Sequence, residues 1–432
     1  MSAKNLVDHY INYTWDKEVP YDFTKLTTAV VDIEVAADEG FPSVVDAEKP
    51  ITAIAVKVKS QTIVYGCGDF TPKETNHHYA KCTDEKHLLL KFLDDWEKLK
   101  VDIITGWNCE LFDVPYIVNR MFNVLGEKEI LRLSPWHIVE EGRLSKFAKV
   151  PGPGQFPNPR NSAAAAAALS NKEGKWGKTA YDILGISIID YLAAYKKFTY
   201  TQQESYSLDN ISFVELGEKK LDYSEYDGLM GLYKNNYQKF IEYNIKDVEL
   251  VSRLDDKMKL LELMAAISYD GHVNLNDAFT SVRLWDIIIH NYLLKKKIVV
   301  PMIDLSIKER QNQGGYVKDP HKGKIHKWIA SFDLNRLYPH LIMQYNISPE
   351  THKGVHPNKT SVNSILDGAY KGIDNPDDCA ITGAGVMYSK DIRGFLPTLM
   401  ERTYADRVIW KDKLKKAKRA GNKNEISRCD NM

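Results

Sequence analysis

A short apolar stretch that carries two acidic residues, residues 27–35 (TTAVVDIEV), constrains the fold of this chain more than any other feature. Its β-branched and apolar residues predict a strand. Residues two apart on a strand project from the same face, so Asp32 and Glu34 would lie side by side. Buried like charges are tolerated chiefly when a divalent cation neutralises them. The alternative is an exposed strand face on which both acids are solvated.

Further strand and helix patterns alternate along the chain. Residues 51–64 alternate between apolar and polar side chains, and residues 101–105 (VDIIT) are apolar, so both stretches predict strands. Helical spacing of apolar residues predicts helices over 87–99 and 112–125. This alternation indicates an α/β sheet domain.

Proline, glycine, asparagine and a run of alanines dominate residues 151–178, which predicts an inserted loop without chemistry. Regular structure is predicted to resume at 186–192, and residues 236–261 predict a long amphipathic helix. The later predicted elements are a helix over 277–295, a glycine-bearing domain connector over 311–320, an apolar strand over 328–334 and a basic helix over 397–420.

Charge and cysteine content exclude few functions. The 58 lysines and arginines balance 58 aspartates and glutamates, so net charge neither predicts nor forbids a polyanionic partner. Basic residues concentrate within 402–428, which suggests a phosphate-facing segment. Five scattered cysteines without paired spacing favour a reducing cytosol. No apolar run reaches about 18 residues, so no membrane partner is expected.

Two further motifs place carboxylates in settings that suit a metal site. Asp113 lies at the first turn of a predicted helix, where a lone aspartate also commonly stabilises the helix start. Asn108 and Phe112 beside it offer an amide and an aromatic face for holding a nucleotide base. Tyr243 and Asp247 are four apart on one face of a predicted helix. The alternative for this pair is an ordinary half-buried helix face.

Taken in chain order, the motifs D-x-E, N-x-x-x-F-D and Y-x-x-x-D resemble those of family B DNA polymerases, most closely the replicative polymerases of T-even-type tailed phages. The connecting segments SYSLDNIS (205–212) and NISPET (346–351) belong to the same likeness, which covers nearly the whole chain. The resemblance implies an α/β fold, with a ribonuclease H-like 3′→5′ exonuclease domain followed by a partial family B polymerase palm and the start of the fingers.

The resemblance also implies how the exonuclease site works. Two Mg²⁺ or Mn²⁺ ions, about 4 Å apart, would be held by Asp32, Glu34, Asp113 and Asp247. One ion would activate water and the other would stabilise the leaving 3′ oxygen, while Tyr243 would position the attacking water. Phe41 and Phe112 match the family positions whose rings stack on unpaired 3′ bases.

The segment SFDLNRLYPH resembles the first palm motif of the polymerase site. Asp333 would bind both metal ions of nucleotidyl transfer, and Leu337 and Tyr338 belong to the nucleotide-binding part, with Tyr338 under the incoming sugar. Arg336 stands where the family usually has serine, and His340 where a second serine is frequent. The bulk of Arg336 counts against ordinary triphosphate binding. Without the resemblance, Asp333 would simply end a strand at a turn.

Two other segments resemble polymerase elements. Gly314, Gly315 and Tyr316 match the connector that tracks the template between the editing and synthesis sites, although Gly-Gly-Tyr is also common in turns. Arg407 and Lys411 are four apart on the predicted basic helix and match fingers positions that contact the triphosphate. By themselves they would be ordinary surface charges.

The predicted domain order is a remnant of the N-terminal domain (1–27), the exonuclease domain (28–258, with an insertion at about 150–178), a helical segment that packs with the N-terminal region (259–305), a partial palm (306–398) and the first fingers helix (399–432). The second fingers helix and the second palm carboxylates of the family do not occur. We therefore expect either a split gene, in which a second polypeptide completes the polymerase, or a chain that was cut short.

We thus expect a proofreading 3′→5′ exonuclease that acts on single-stranded DNA 3′ ends and primer-template. It would be joined to a DNA polymerase that uses dNTPs only with its complement. A sliding clamp is a further candidate partner, and the expected location is the cytoplasm of an infected bacterial cell. The alternatives are a non-catalytic DNA-binding scaffold and a free-standing nuclease acting on RNA. The adjacent His77 and His78 lack a carboxylate or cysteine at ligand spacing, so we expect an exposed loop there and no metal site.

Overall fold

A computed structural model describes residues 20–36, 40, 42–141, 180–199, 201–299, 319, 325, 327–334, 336–356, 377–421, 426 and 429. The chain divides into two compact units, Met1–Val300 and Pro301–Met432. Several predicted features lie outside the described residues: the insertion at 151–178, nearly all of the connector at 311–320, and Phe41, Gly314, Gly315 and Tyr316. The domain boundaries given above stay predictions.

The first unit is built on a mixed β-sheet. Its strands are β1 (Thr28–Val35), β2 (Ile51–Val58), β3 (Gln61–Gly66), β4 (His77–Lys81), β5 (Ile103–Gly106), β6 (Val139–Glu141), β7 (Tyr181–Ile183) and β8 (Ser187–Asp190). Six of them form one sheet in the order β4-β3-β2-β1-β5-β8, and β6 pairs with β7. β2 is antiparallel to β1 and β3, whereas β5 is parallel to β1 and β8.

The strand predictions in this unit are confirmed. Residues 27–35 and 101–105 correspond to β1 and β5. The predicted strand region 51–64 forms β2 and β3, separated by a turn at Lys59, where φ is 53°. Two antiparallel strands joined by a short turn are the expected outcome of one long alternating stretch.

Helices cover both faces of the sheet. They are α1 (Glu85–Leu99), α2 (Asp113–Leu125), α3 (Glu127–Ile130), α4 (Tyr191–Phe198), α5 (Leu208–Leu216), α6 (Gly228–Asn235), α7 (Tyr237–Met258), α8 (Leu260–Gly271) and α9 (Ser281–Lys295). On one face, Val31 of β1 shares a core with Phe92 of α1. On the other face, Val30 shares a core with Phe240 of α7. Because side chains alternate along a strand, even-numbered β1 residues face α7.

The long helix α7 is shorter than the predicted span 236–261. At its start, the Asn236 side chain accepts a hydrogen bond from the Lys239 N–H at 3.1 Å. At its end, Lys259 takes the left-handed conformation with φ 55°, and α8 begins at the next residue. The apolar periodicity continues through both helices, so the sequence pattern does not indicate where α7 ends and α8 begins.

The prediction of a loop at His77 and His78 is wrong, and the predicted exposure holds for His78 alone. Both residues begin β4, which pairs in parallel with β3 through Thr62 and Ile63. The His77 side chain is only 9% exposed. Parallel pairing depends on a distant partner strand, and the local sequence contains no signal for it.

In its described part, the second unit combines helices with a small sheet. These elements are α10 (Leu337–Tyr345), β9 (His352–Val355), β10 (Ala380–Ile381), β11 (Val386–Tyr388) and α11 (Phe395–Ala420), and the sheet order is β10-β11-β9. Asn346, at the end of α10, links this helix to the segment between β11 and α11. Its Nδ2 donates to the Ser389 carbonyl at 2.7 Å, and its Oδ1 accepts from the Gly394 N–H at 2.9 Å. The predicted basic helix over 397–420 is confirmed as α11. None of the described helices combines the length and apolarity needed to span a bilayer.

The predicted strand over 328–334 is wrong. Within the described residues this stretch pairs with no strand, and Trp328 and Phe332 are 95% and 92% exposed. A strand becomes stable when a neighbouring strand takes up its backbone N–H and C=O groups, and apolar composition does not supply that neighbour. Asp333 lies in this unpaired stretch.

Candidate active site

The strand β1 presents its two acids to the sheet face that α7 covers. Asp32 and Glu34 stand opposite Ala55 and Ala53 of β2. Both alanines are fully buried. Their small side chains leave the space above the sheet to the carboxylates, since neighbouring strands lie less than about 5 Å apart.

The helix α7 adds a third acid to this pair. Tyr243 and Asp247, about one turn apart, are 8% and 4% exposed. One carboxylate oxygen from each of Asp32, Glu34 and Asp247 lies within 4.8 Å of the other two. The fold therefore brings three of the four predicted metal ligands together.

Asp113 lies against the β1 backbone between the two strand acids. It is the first residue of α2, is 4% exposed, and accepts a hydrogen bond from the Ile33 N–H at 3.0 Å. Gly106, at the end of β5, lets that strand run close to β1, because a Cβ atom there would lie 2.5 Å from the Val31 carbonyl oxygen. Asp113 thus lies at the edge of the three-acid cluster and is not within its mutual 4.8 Å distances. Its position in the first helical turn also matches the alternative, a helix-start stabiliser.

Burial raises the pKa values of all four carboxyls. Desolvation is the largest cause in each case. The pKa of Glu34 rises to about 8 and that of Asp113 to about 7. The pKa of Asp32 lies well above its usual range because the charges of Asp247 and Asp113 add to burial. The cluster therefore favours added positive charge, in the form of protons or of cations.

The oxygen chemistry of the cluster fits a hard divalent cation. Carboxylate oxygens are the ligands that Mg²⁺ and Mn²⁺ prefer. In the described protein, Oδ1 of Asp247 is buried and has no hydrogen-bond partner. A buried acceptor without a donor is costly, and a cation at the cluster would satisfy it. These residues therefore fit a metal centre.

Lys220, which no motif indicated, supplies a positive charge to the cluster. Its Nζ donates to the Tyr243 hydroxyl at 3.0 Å and forms an ion pair with Oδ2 of Asp247. Burial lowers the pKa of Lys220, but attraction to Asp247 and Tyr243 outweighs burial and raises it above the usual range. Its backbone N–H donates to Oδ1 of Asp209 at 2.8 Å, which anchors the loop. Lysine in a loop after Gly217 carries no spacing signal, so the sequence offered no means of finding it.

Two further polar residues hold parts of the site in place. Asn244, fully buried, donates from Nδ2 to Oδ2 of Asp32 at 2.7 Å. Asp190, at the end of β8, accepts from the backbone N–H of Asn108 at 3.1 Å and of Glu110 at 3.4 Å. Burial raises the pKa of Asp190 to about 7. Asn244 occupies an unspecified position of the Y-x-x-x-D motif and Asp190 lies outside all three motifs, so the motifs assigned a role to neither residue.

Of the three residues predicted to hold bases, Asn108 and Phe112 are described, and they lie in the turn that precedes Asp113. Asn108 takes a left-handed conformation with φ 66°. The half-buried ring of Phe112 packs against Tyr116 at 5.5 Å between ring centroids. Their roles in DNA binding stay predictions.

The predicted nucleotide-binding residues of the second unit are exposed. Leu337 and Tyr338 are 39% and 76% exposed. Arg407 and Lys411 lie on exposed positions of α11. Asp333 belongs to no cluster of potential metal ligands among the described residues. Their polymerase roles likewise stay predictions.

Both departures from the family palm motif contact one tyrosine of α11. The guanidinium carbon of Arg336 lies 5.2 Å from the ring centroid of Tyr404. The His340 ring meets the same ring edge-on at 5.5 Å between centroids. Arg336 and His340 therefore pack α10 against α11, a contact that serine side chains are too short to make.

Comparisons with known proteins agree with this picture. The family described as "DNA polymerase family B, exonuclease domain" matches residues 3–211, and the family "DNA polymerase family B" matches residues 278–428. The DNA-directed DNA polymerases of Escherichia phage RB69 and Enterobacteria phage T4 are each 32% identical to this chain, over 95% and 94% of it. The DNA polymerase delta catalytic subunit of Caenorhabditis elegans is 26% identical over 96% of the chain.

The chain spans less than half of each relative, namely 45% of the RB69 enzyme, 44% of the T4 enzyme and 36% of the C. elegans subunit. Both predicted parts of the fold class, a ribonuclease H-like exonuclease domain and a partial palm, are confirmed by the two matched families. With the exonuclease and polymerase matches following one another along most of its length, this chain belongs to family B of the DNA polymerases.

Proposed function

We propose that the first unit is a metal-dependent 3′→5′ exonuclease that proofreads DNA. The observation that carries this proposal is the cluster of Asp32, Glu34 and Asp247, whose oxygens lie within 4.8 Å of one another on a buried sheet face. Phosphodiester hydrolysis depends on positioning and charge neutralisation more than on covalent help from protein. Mg²⁺ or Mn²⁺ ions, held by these acids with Asp113 at the edge, would supply an activated water and stabilise the departing 3′ oxygen.

The remaining groups of the site hold and orient the reactants. Lys220 donates to the Tyr243 hydroxyl at 3.0 Å, which fixes the phenol in one orientation next to Asp247. In that orientation Tyr243 would position the attacking water. Asn244 fixes the Asp32 carboxylate through its 2.7 Å hydrogen bond. The DNA end would reach the site past Asn108 and Phe112, which lie in the turn before Asp113.

The test is nucleotide release from a 3′-labelled single-stranded DNA oligonucleotide with Mg²⁺. We expect release by the unaltered chain, and a loss of at least about 10²-fold in the double variant Asp32→Ala plus Glu34→Ala. Asp256→Asn is the matched control, because Asp256 is a 74% exposed acid on the same helix as Asp247. An RNA oligonucleotide separates a DNA exonuclease from an RNA nuclease. Equal activity in the double variant, or none in the unaltered chain, would contradict the proposal.

We further propose that the second unit belongs to a polymerase site that incorporates dNTPs on primer-template only together with additional palm and fingers residues. The exposed apolar side chains of Trp328 and Phe332 support this, since such a patch usually marks a surface that another protein segment covers. A second polypeptide or further residues of the same protein would supply the cover. By analogy with the phage relatives, the setting would be the cytoplasm of an infected bacterium, and a sliding clamp stays a predicted partner.

One observation favours a second candidate, a DNA-binding scaffold whose nuclease is suppressed. The Lys220 ammonium pairs with Oδ2 of Asp247 and so occupies an oxygen that a cation would use. Tight binding of the DNA oligonucleotide without metal-dependent cleavage would support this scaffold function.

A further inference from the structure

A second group of metal-ligating side chains lies on another side of α7. It consists of Glu74 from the turn before β4, His77 at the start of β4, and Glu249 of α7. One ligand atom from each lies within 4.8 Å of the others. Residues two apart on a helix are separated by a rotation of about 200° around the helix axis, so their side chains lie on nearly opposite sides. Glu249 therefore projects away from the nuclease cluster that holds Asp247.

One histidine nitrogen faces both carboxylates of this group. Nε2 of His77 lies 2.9 Å from Oε1 of Glu249 and 3.7 Å from Oε2 of Glu74. A separation of 3.7 Å is too long for a hydrogen bond, and one N–H cannot serve both acids well. Ligand atoms about 2.1 Å from a tetrahedral zinc ion are about 3.4 Å apart. The two observed distances lie on either side of that value.

The surrounding structure holds the inner ligands in place. The backbone of β4 is paired with β3, and the side chains of His77 and Glu249 are only 9% and 23% exposed. The loop before β4 is also fastened to α7 further along, where the Thr71 N–H donates to Gln238 at 3.0 Å. Glu74 is 61% exposed, so it is the outer ligand and leaves solvent access for a fourth, water ligand.

We propose that Glu74, His77 and Glu249 bind one Zn²⁺ ion, at a site separate from the nuclease cluster. An imidazole with two carboxylates suits zinc, whereas the all-oxygen nuclease cluster suits magnesium. The ion would link the loop before β4 to α7, the helix that positions Tyr243 and Asp247. This proposal does not depend on the proposed nuclease activity.

The test is equilibrium dialysis of the full chain against Zn²⁺ in excess Mg²⁺. All variants carry Asp32→Ala plus Glu34→Ala, so that the nuclease cluster cannot hold the zinc. We expect this background to retain one zinc ion per chain, and His77→Ala to lose it. His78→Ala is the matched control, because His78 is exposed and points to the opposite face of the same strand. It should retain zinc like the background.

A second variant guards against loss of zinc through misfolding. Glu249→Gln keeps the length of the side chain and a hydrogen-bonding oxygen beside His77, but it removes the charge that a cation needs. We expect it to lose zinc and the zinc-induced rise in melting temperature, while its melting temperature in EDTA stays near that of the background. Zinc retention by the His77→Ala and Glu249→Gln variants equal to that of the background, or no retention by the background itself, overturns the proposal and leaves His77 as an ordinary ion-pair partner.

Discussion

The buried carboxyls of the candidate active site should make the metal-free protein less stable as pH rises, and Glu34→Gln should remove part of that loss. Burial raises the pKa of Glu34 to about 8, from its ordinary value of 4.5. The folded state therefore holds this proton more tightly than the unfolded state. The stabilisation is fully present below about pH 4.5 and is lost as pH rises through about 8.

The size of the effect follows from the same shift. Each pH unit between 4.5 and the folded-state pKa is worth about 1.4 kcal/mol of unfolding free energy. At pH 7 the penalty from Glu34 is therefore at most about 3–4 kcal/mol. Because the charges of Glu34, Asp32 and Asp247 repel one another, protonation of one lowers the pKa of the others, so this figure is an upper value.

The assay is urea unfolding in EDTA at pH 5, 7 and 8, followed by tryptophan fluorescence. We expect Glu34→Gln to raise the unfolding free energy at pH 8 and to flatten its fall between pH 5 and 8. Added Mg²⁺ should restore stability to the unaltered chain more than to the variant. Glu140→Gln, the same substitution at an exposed position of β6, is the control. Equal pH dependence in Glu34→Gln and the unaltered chain would refute the reasoning.

Two more substitutions test residues that no motif revealed. Lys220→Met should lower the exonuclease kcat by about 10²-fold with little change in KM, because Tyr243 loses the donor that orients it. The control is Lys219→Met, a substitution at an exposed neighbouring position. It should leave kcat unchanged in the same oligonucleotide assay. Asp190→Ala should lower the unfolding free energy by about 2–4 kcal/mol, since it leaves α4 uncapped and removes the carboxylate that accepts from the part-buried N–H groups of Asn108 and Glu110. Ser207→Ala, which removes an exposed cap alone, should cost about 1 kcal/mol. Urea unfolding that shows the same loss of unfolding free energy for Asp190→Ala and Ser207→Ala would contradict the role of Asp190. An unchanged kcat in Lys220→Met would contradict the role of Lys220.

What could be predicted from the sequence depended on whether the cause was local. The apolar run around Asp32 and the helical spacing around Tyr243 are short-range patterns, and the strand and helix they predict are present. The resemblance to family B DNA polymerases, which the chain order of the motifs supports, then implied which acids would meet. Lys220 acts through Asp247, 27 residues later, and no motif marks it. Asp190 has a local role as the cap of α4, but its contact with the Asn108 turn joins residues 82 apart, which no local pattern predicts.

The two errors have the same physical origin as those omissions. Apolar residues at 328–334 predicted a strand, but a strand needs a partner and none of the described residues provides one. The histidines at 77 and 78 predicted a loop, but β3 pairs with them and makes a strand. In both cases a distant partner, present or missing, decides the local structure.

The charges around α7 explain how such a cluster folds before a metal ion arrives. The four carboxyls would repel one another if all were ionised, and their raised pKa values favour the protonated forms while no cation is bound. Lys220 then compensates Asp247 by a direct ion pair. A divalent cation entering this cluster must displace protons and loosen that pair, so its binding is linked to pH. Among the described ion pairs, no lysine contacts Glu74, His77 or Glu249, and one of the three ligands there is an imidazole nitrogen. The two sides of α7 would therefore select different metal ions through the chemistry of their ligands.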